Sequence, residues 1–281
     1  MAQAKKTIKK TGGRKNTSAR RSSSRKKTKD MPHWPYILIA TLVSSIAMFI
    51  GYHLLFKQVI YRFTTCEGIK TYETCIPKGY DVYGLDISHH QGKIDWEKLA
   101  EENPKEAPIS FIYMKASEGS DHKDTRFDTN WQKAKEHGFT RGAYHYFSTY
   151  STGLEQANMF TKTVKLEKGD LPPVIDVEER PENSKLFIQE LKIFITKIEE
   201  HYGIKPIIYS GKKYKKRYLD DKFFDRYPTW IAHYYVDSLE VDQTWTFWQC
   251  SDRGRLPGIS RNVDINIFNG TLKNLDNFKK K

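Results

Sequence analysis

Residues 172–179 read PPVIDVEE. The run Pro173–Val177 is apolar and rich in β-branched residues, the composition of a buried strand. Along a strand, residues i and i+2 share a face, so Asp176 and Glu178 point the same way with Cα atoms about 6.6 Å apart. Ile175 and Val177 face the other side, toward covering helices. Two carboxyls crowded among apolar neighbours should pull their pKa values apart, leaving a protonated acid beside an ionised partner. An Asp-x-Glu alone is a weak motif; a solvated or lysine-paired loop start reads the same. Its weight comes from what surrounds it.

Seven further runs share this composition: Val82–Ile87, Ile109–Ala116, Gly142–Phe147, Pro206–Tyr209, Thr229–Tyr234, Trp245–Cys250 and Val263–Phe268. The early connections between them have helical periodicity. Asp95–Glu102 is short and polar-faced. Phe127–His137 spaces Phe127, Trp131 and Ala134 along one face and stops at Gly138. Gly153–Val164 carries Leu154, Ala157, Met159 and Phe160. Ser184–His201 has an apolar stripe of Leu186, Phe187, Leu191, Phe194, Ile195 and Ile198, ended by Gly203. Later connections are shorter and less clearly helical. The pattern predicts an α/β fold, an irregular TIM-like (β/α) barrel with helices missing in the last third. A doubly wound open sheet is the rival.

Barrel active sites lie at the C-terminal ends of the strands. Those ends carry Asp86 (GLDISHH), Lys115 and Glu118 (YMKASEG), Tyr144, His145 and Tyr146 (AYHYF), Asp176 and Glu178, then WIAHY and FWQC. The eighth run begins with VDIN and supplies Asp264. Acids and flat rings on one rim suit sugar hydrolysis, with carboxyls to move protons and aromatic faces to hold pyranoses. If the barrel closes, Asp86 and Asp264 become neighbours; taken singly, each reads as a cap or turn residue. His89–His90 invites a metal reading, but adjacent residues on a strand end point apart, and His122, His137 and His145 complete no ligand spacing. No metal and no cofactor is expected. There is no Gly-x-Ser-x-Gly elbow for a serine hydrolase.

The chain of 281 residues carries a net charge of +13, but twelve basic residues and one acid before Pro35 account for +11 of it. The main domain is nearly balanced, which argues against nucleic acid as its ligand. Residues 1–33 are too polar to bury a core and are expected to be disordered and cytoplasmic. They can signal topology and contact anionic lipid headgroups; binding RNA or DNA is the other reading. Residues 34–56, WPYILIATLVSSIAMFIGYHLLF, hold no Asp, Glu, Lys or Arg. As a helix they reach about 34 Å, enough to cross a bilayer core. Trp34, Tyr36 and Tyr52 suit the interfacial belts, and no small-x-small cleavage site follows. An uncleaved signal anchor is expected, then a stalk over 57–80, a catalytic domain over 81–272 outside the cytoplasm, and a basic C-terminal tail over 273–281. Cys66 and Cys75 can pair in the stalk or remain thiols; Cys250, in an apolar run, reads as a buried thiol.

In order along the chain stand YGLDISHHQGKIDW (83–96), FIYMKASEG (111–119), RGAYHYF (141–147), PPVIDVE (172–178), PIIYSG (206–211), TWIAHY (229–234) and FWQCSDRGRLPGISRNVDINIFNG (247–270). The set resembles glycoside hydrolase family 25, the muramidases of the Chalaropsis lysozyme type, from about Tyr80 to Gly270. The resemblance implies a shortened barrel and cleavage of the β-1,4 bond between N-acetylmuramic acid and N-acetylglucosamine in peptidoglycan glycan strands. It implies Glu178 as general acid and Asp176 as the group orienting the substrate's 2-acetamido substituent. Asp86 and Asp264 would complete the acidic site. Tyr144, Tyr146, Trp230, Tyr234 and Trp248 would line the site or bind sugar rings, with core packing as the alternative for each. Lys115 and Glu118 would be structural or near the site. The chain departs from the family at Cys250, where an aromatic residue is usual. A non-catalytic peptidoglycan-binding or wall-tethering module on the same fold is the functional rival; it would bind glycan without cutting it.

Overall fold

The structure is a computed structural model that describes residues 32, 34–53, 68–239 and 244–281. The basic segment 1–33, apart from Pro32, lies outside the described residues, as do 54–67 with Cys66. The chain divides into two compact units, Met1–Tyr52 and His53–Lys281.

The first unit contains helix α1, Trp34–Gly51, with mean hydropathy 1.8 and no buried residue. Its 18 residues rise about 27 Å. Two of its hydroxyls bond back to its own backbone, Thr41 Oγ1 to Leu38 O at 2.9 Å and Ser45 Oγ to Thr41 O at 2.8 Å, which suits an apolar surrounding.

The second unit begins with a hairpin, β1 Ile69–Thr71 and β2 Thr74–Ile76. Tyr72 and Glu73 form its two-residue turn, both with positive φ, which matches the twist of a hairpin. Residues 68–80 were expected to be stalk. Instead Ile76 and Tyr72 bury their side chains against the barrel, because exposing them would leave two large apolar surfaces in water. Cys75 is disulfide-bonded.

Eight strands then close on themselves: β3 Val82–Ile87, β4 Ile109–Glu118, β6 Thr140–Tyr146, β7 Val174–Asp176, β8 Ile207–Gly211, β9 Thr229–Ala232, β10 Phe247–Gly254 and β11 Val263–Phe268. The short β5, His122–Lys123, adds to the end of β4. Pairing of β3 with both β4 and β11 closes the barrel and excludes the open sheet. Helices α2 Trp96–Glu101, α3 Phe127–Glu136, α4 Gly153–Thr163 and α5 Ser184–Tyr202 cover the first half. After β8 only α6, Lys212–Tyr218, and a single 3₁₀ turn, Phe224–Arg226, intervene before β9, and among the described residues no helix separates β9, β10 and β11. The segment 255–262 is too short for a parallel crossover, so β11 runs antiparallel to both neighbours. Residues 273–281, expected to trail as a tail, largely form α7, Leu272–Phe278. There Leu275 is buried and Phe278 meets Phe247 and Phe268, which closes the base of the barrel.

Strand alternation sorts the core into two clusters. Val82, Phe111, Tyr113, Val174, Tyr209, Trp230 and Phe247 fill the lumen, whereas Leu85, Ile112, Ile175, Val177 and Ile231 meet the helices. Space for the lumen rings comes from glycines on flanking strands. Gly84 pairs with Phe111 and Gly142 with Tyr113. A Cβ on Gly142 would stand 2.2 Å from the Tyr113 ring, and one on Gly84 2.4 Å from Phe111. Both rings are fully buried and cannot swing away. Gly142→Ala should therefore destabilise the domain by about 1–3 kcal/mol through overpacking. Urea unfolding should show a lower midpoint at an unchanged slope; an unchanged midpoint would mean the ring has room to move.

Candidate active site

Strand β7 carries Val174 and Asp176 into the lumen while Ile175 and Val177 point outward. Glu178, just past the strand, continues the inward series. Together with Asp86, Tyr144, Tyr209, Trp230, Gln249 and Asp264 these residues line a cavity of about 160 Å³ at the rim. All four carboxyls named from the sequence thus meet in one place.

Asp86 and Asp264 face each other across the antiparallel β3–β11 pair and hydrogen-bond through their carboxyls. Burial, then the Asp86 charge, pushes the Asp264 pKa up to about 9. Burial also raises Asp86, against hydrogen bonds from Asn266, Gln249 and Asp264 that favour its ionised form. The pair therefore holds a proton at neutral pH, carried by Asp264 and donated to Asp86. Asn266 Nδ2 donates to Asp86 Oδ2 at 2.7 Å and Gln249 Nε2 at 2.9 Å. Gln249 Nε2 also lies 3.3 Å from Asp264 Oδ2. Its Oε1 accepts from the hydroxyls of Tyr209 at 2.7 Å and Tyr234 at 2.5 Å. Only this amide orientation gives every neighbour a partner of opposite polarity. Trp230 Nε1, donating to Asn266 Oδ1 at 3.0 Å, fixes the second amide in the same way.

Asp176 is buried, and its Oδ1 has no hydrogen-bond partner. Burial, then the charges of Glu178 and Asp86, drives its pKa well above the carboxylate range. Glu178 is the most open of the four. Its pKa is raised too, first by lost hydration in the mouth and then by Asp86. The Tyr209 hydroxyl stands 3.5 Å from Glu178 Oε1.

The loop that follows β6 is pinned from within. Gln156 Nε2 donates to Ser148 O and Ser151 O, so its Oε1 accepts, from Ser148 N and from His145 Nε2. His145 Nδ1 then accepts from Ser117 Oγ at 2.9 Å. Burial lowers the His145 pKa to about 4 and keeps the ring neutral. The pinned loop offers Thr149 N and Oγ1 to Glu179 Oε2 at 2.7 and 2.9 Å. Tyr214 OH donates to Glu179 O at 2.6 Å. The backbone just after Glu178 is thereby held on two sides.

Of the five aromatic residues expected at the site, Tyr144 lines the cavity. Tyr234 faces it through Gln249. Tyr146 stands at the rim with Lys115 Nζ 4.9 Å from its ring centroid. Trp230 lies beneath the site, wedged against Tyr113 and Tyr209, and serves as floor. Trp248 is not at the site. Gln249 points inward, so the preceding residue points outward; Trp248 packs on Tyr80 and Trp245 and donates from Nε1 to His233 O at 2.8 Å. Lys115 and Glu118 pair with each other at 2.6 Å. His89 bonds Asp124 at 2.7 Å, and among the described residues no three His, Cys, Asp or Glu side chains converge as a metal site. Sequence reasoning missed Tyr209, Gln249 and Asn266. Each had a signal: Asn266 lies two after Asp264 on one strand face, Gln249 is the polar residue within FWQC, and Tyr209 ends PIIY.

Residues 85–259 match the family described as Glycosyl hydrolases family 25. The chain is 41% identical over 215 residues to the Escherichia coli K12 protein "Uncharacterized protein YegX", covering 75% of this chain and 78% of that one. It is 33% identical over 210 residues to "Lysozyme M1" of Streptomyces globisporus, covering 69% and 70%. Among solved structures it resembles a family 25 glycosyl hydrolase from Bacillus anthracis, with TM-score 0.65, 34% identity and coverage of 71% of this chain and 94% of that one. A bacterial lysozyme from Streptomyces coelicolor gives TM-score 0.65, 30% identity and coverage of 71% and 97%. With the family match spanning more than half its length and an eight-stranded mixed barrel beneath it, this chain belongs to glycosyl hydrolase family 25.

Proposed function

We propose that the chain is a peptidoglycan muramidase that hydrolyses the β-1,4 bond between N-acetylmuramic acid and N-acetylglucosamine. In this reading α1 anchors it, with its N-terminus cytoplasmic and the barrel on the periplasmic or cell-wall side. The observation that carries the reading is the pairing of a buried, partnerless Asp176 oxygen with a more open, raised-pKa Glu178 in one mouth. The relatives named lysozyme, and the fungal relative from Arthroderma benhamiae named "N,O-diacetylmuramidase", support it.

The chemistry follows from the two environments. Glu178, whose pKa lost hydration raises, gives its proton to the glycosidic oxygen as the bond to C1 breaks. Asp176 Oδ1 accepts the acetamido N–H of the muramic acid, which turns the acetamido oxygen toward C1. That oxygen forms the new bond to C1 and closes a cyclic oxazolinium. A water then attacks C1, the ring reopens, and Glu178 takes the water's proton. Two carboxyls on one strand share one side of the sugar, which favours this substrate-assisted route over a protein nucleophile on the opposite face.

Glu178→Gln in the detergent-solubilised full chain should cut muropeptide release from purified peptidoglycan by about 10²–10⁴-fold, the usual worth of a general acid. Mass spectrometry of the products identifies the bond, and near-normal release by this variant would remove Glu178 from the role. Proton NMR at first turnover should show a retained anomeric configuration; inversion would exclude acetamido attack.

The protonated acid pair also fixes a pH dependence. Asp264 keeps its proton to about pH 9 in the folded state, whereas an unfolded Asp releases it near pH 4. The folded state binds the extra proton throughout that window, so stability falls as pH rises, by at most about 1.4 kcal/mol per unit for one proton. Asp264→Asn does not titrate and can still donate to Asp86. Its melting temperature should exceed that of the wild type at pH 8, with the gap closing toward pH 4; a constant gap would place the stored proton elsewhere.

A further inference from the structure

A second cavity, about 540 Å³, opens beside the catalytic one. It falls within the range of about 300–1,000 Å³ usual for small-ligand sites. One wall is the loop after β6, the other the loop after β7, beginning two residues beyond Glu178. Glu178 and Glu179 form the divide: the first faces the catalytic mouth, while the second turns away to bond Thr149.

The lining has a definite chemistry. Phe147 and Phe187 make a buried apolar floor. Leu186 is 52% exposed and Tyr150 90% exposed at this cavity, large apolar surfaces that no part of the described chain covers. Glu155 and Glu190 are already committed to the start of α4, accepting from Thr152 and from Gly153 N. Arg180 and Glu182 remain, one of each sign, with no ion pair or hydrogen bond among the described residues. Ser151 Oγ, shielded from solvent and without a partner, also lines the cavity. An apolar floor under one free cation, one free anion and an unsatisfied hydroxyl fits a zwitterionic oligopeptide.

We propose that this cavity takes the short peptide substituent of the glycan strand being cut, its carboxylate on Arg180, its ammonium on Glu182 and its apolar side chains on the Phe147–Phe187 floor. This inference rests on the muramidase reading, which supplies a sugar that bears such a peptide. Coming off the strand at the catalytic mouth, the substituent would cross the Glu178–Glu179 divide, so peptide-bearing strands would bind more tightly than bare ones.

Calorimetry on the full chain in detergent tests this without catalysis. The probes are N-acetylmuramyl-alanyl-glutamyl-lysine and N-acetylmuramic acid. Arg180→Ala should weaken the peptide-bearing probe about tenfold and leave the bare sugar unchanged; Glu182→Gln should weaken the lysine-containing probe but not its dipeptide counterpart. In turnover, Arg180→Ala should raise KM on peptide-bearing strands and leave peptide-stripped strands unaffected. No preference of the wild type for the peptide-bearing probe, or equal effects of Arg180→Ala on both probes, would overturn the proposal. A wild type that cuts neither kind of strand would sink the muramidase reading instead, and calorimetry would still decide the peptide site.

Discussion

The hydrogen bond between the carboxyls of Asp86 and Asp264 joins the first barrel strand to the last and lets four acids share one mouth. Four ionised carboxylates in a cavity of about 160 Å³ would repel one another without solvent to screen them. One proton held between Asp86 and Asp264 removes one charge. Asn266 and Gln249 donate to Asp86 Oδ2 and favour its ionised form against the cost of burial. The antiparallel turn of β11 makes this possible, because it brings the beginning of that strand, with Asp264, to the rim where the parallel strands end. A regular eighth strand would have left Asp264 at the base.

Below the acids, the lumen is a stack of rings, two of which, Trp230 and Tyr209, aim their polar ends up at the site. Trp230 lies between Tyr113 and Tyr209, and its indole nitrogen holds Asn266. Tyr209 holds Gln249. Each amide is therefore set by an aromatic group that is itself locked by packing, and each amide sets Asp86. Glycines at Gly84 and Gly142 make room for the stack. The chain accepts weaker strand-forming residues at those positions in exchange for a rigid floor.

The strands and the acids were legible because they rest on short-range rules. Apolar runs marked all eight barrel strands, and the rule that sites lie at strand ends picked out Asp86, Asp176 and Glu178; Asp264, at the start of its run, followed from closure of the barrel beside Asp86, and the four do meet. Properties that depend on direction across the chain were harder to read. The family resemblance offered Trp248 as a ring-binding group, with core packing as the alternative; whether it or Gln249 faces the lumen depends on register with β9 and β11. Tyr209, Gln249 and Asn266 are common polar residues whose importance arises only when they touch one another. Residues 68–80 fall in the expected stalk, and 273–281 were expected to be a basic tail. Ile76, Tyr72, Leu275 and Phe278 are enough when the barrel already offers a surface to cover. Leu186 fitted the helical stripe of α5 but lies at its first turn, past the edge of the barrel, and is exposed.

Asp176 and Glu178 show how one strand places two acids in two environments. Both side chains point inward, but Asp176 ends β7 while Glu178 stands one strand step higher, clear of the rim. The lower acid is surrounded by the barrel wall, so its ionisation is disfavoured and one of its oxygens has no hydrogen-bond partner. The higher acid keeps contact with solvent and can exchange protons with it. A backbone that wandered here would erase that distinction. The chain of bonds from Ser117 through His145 and Gln156 to the loop that grips Glu179 holds it in place. Burial lowers the His145 pKa to about 4, so this support keeps one protonation state at neutral pH.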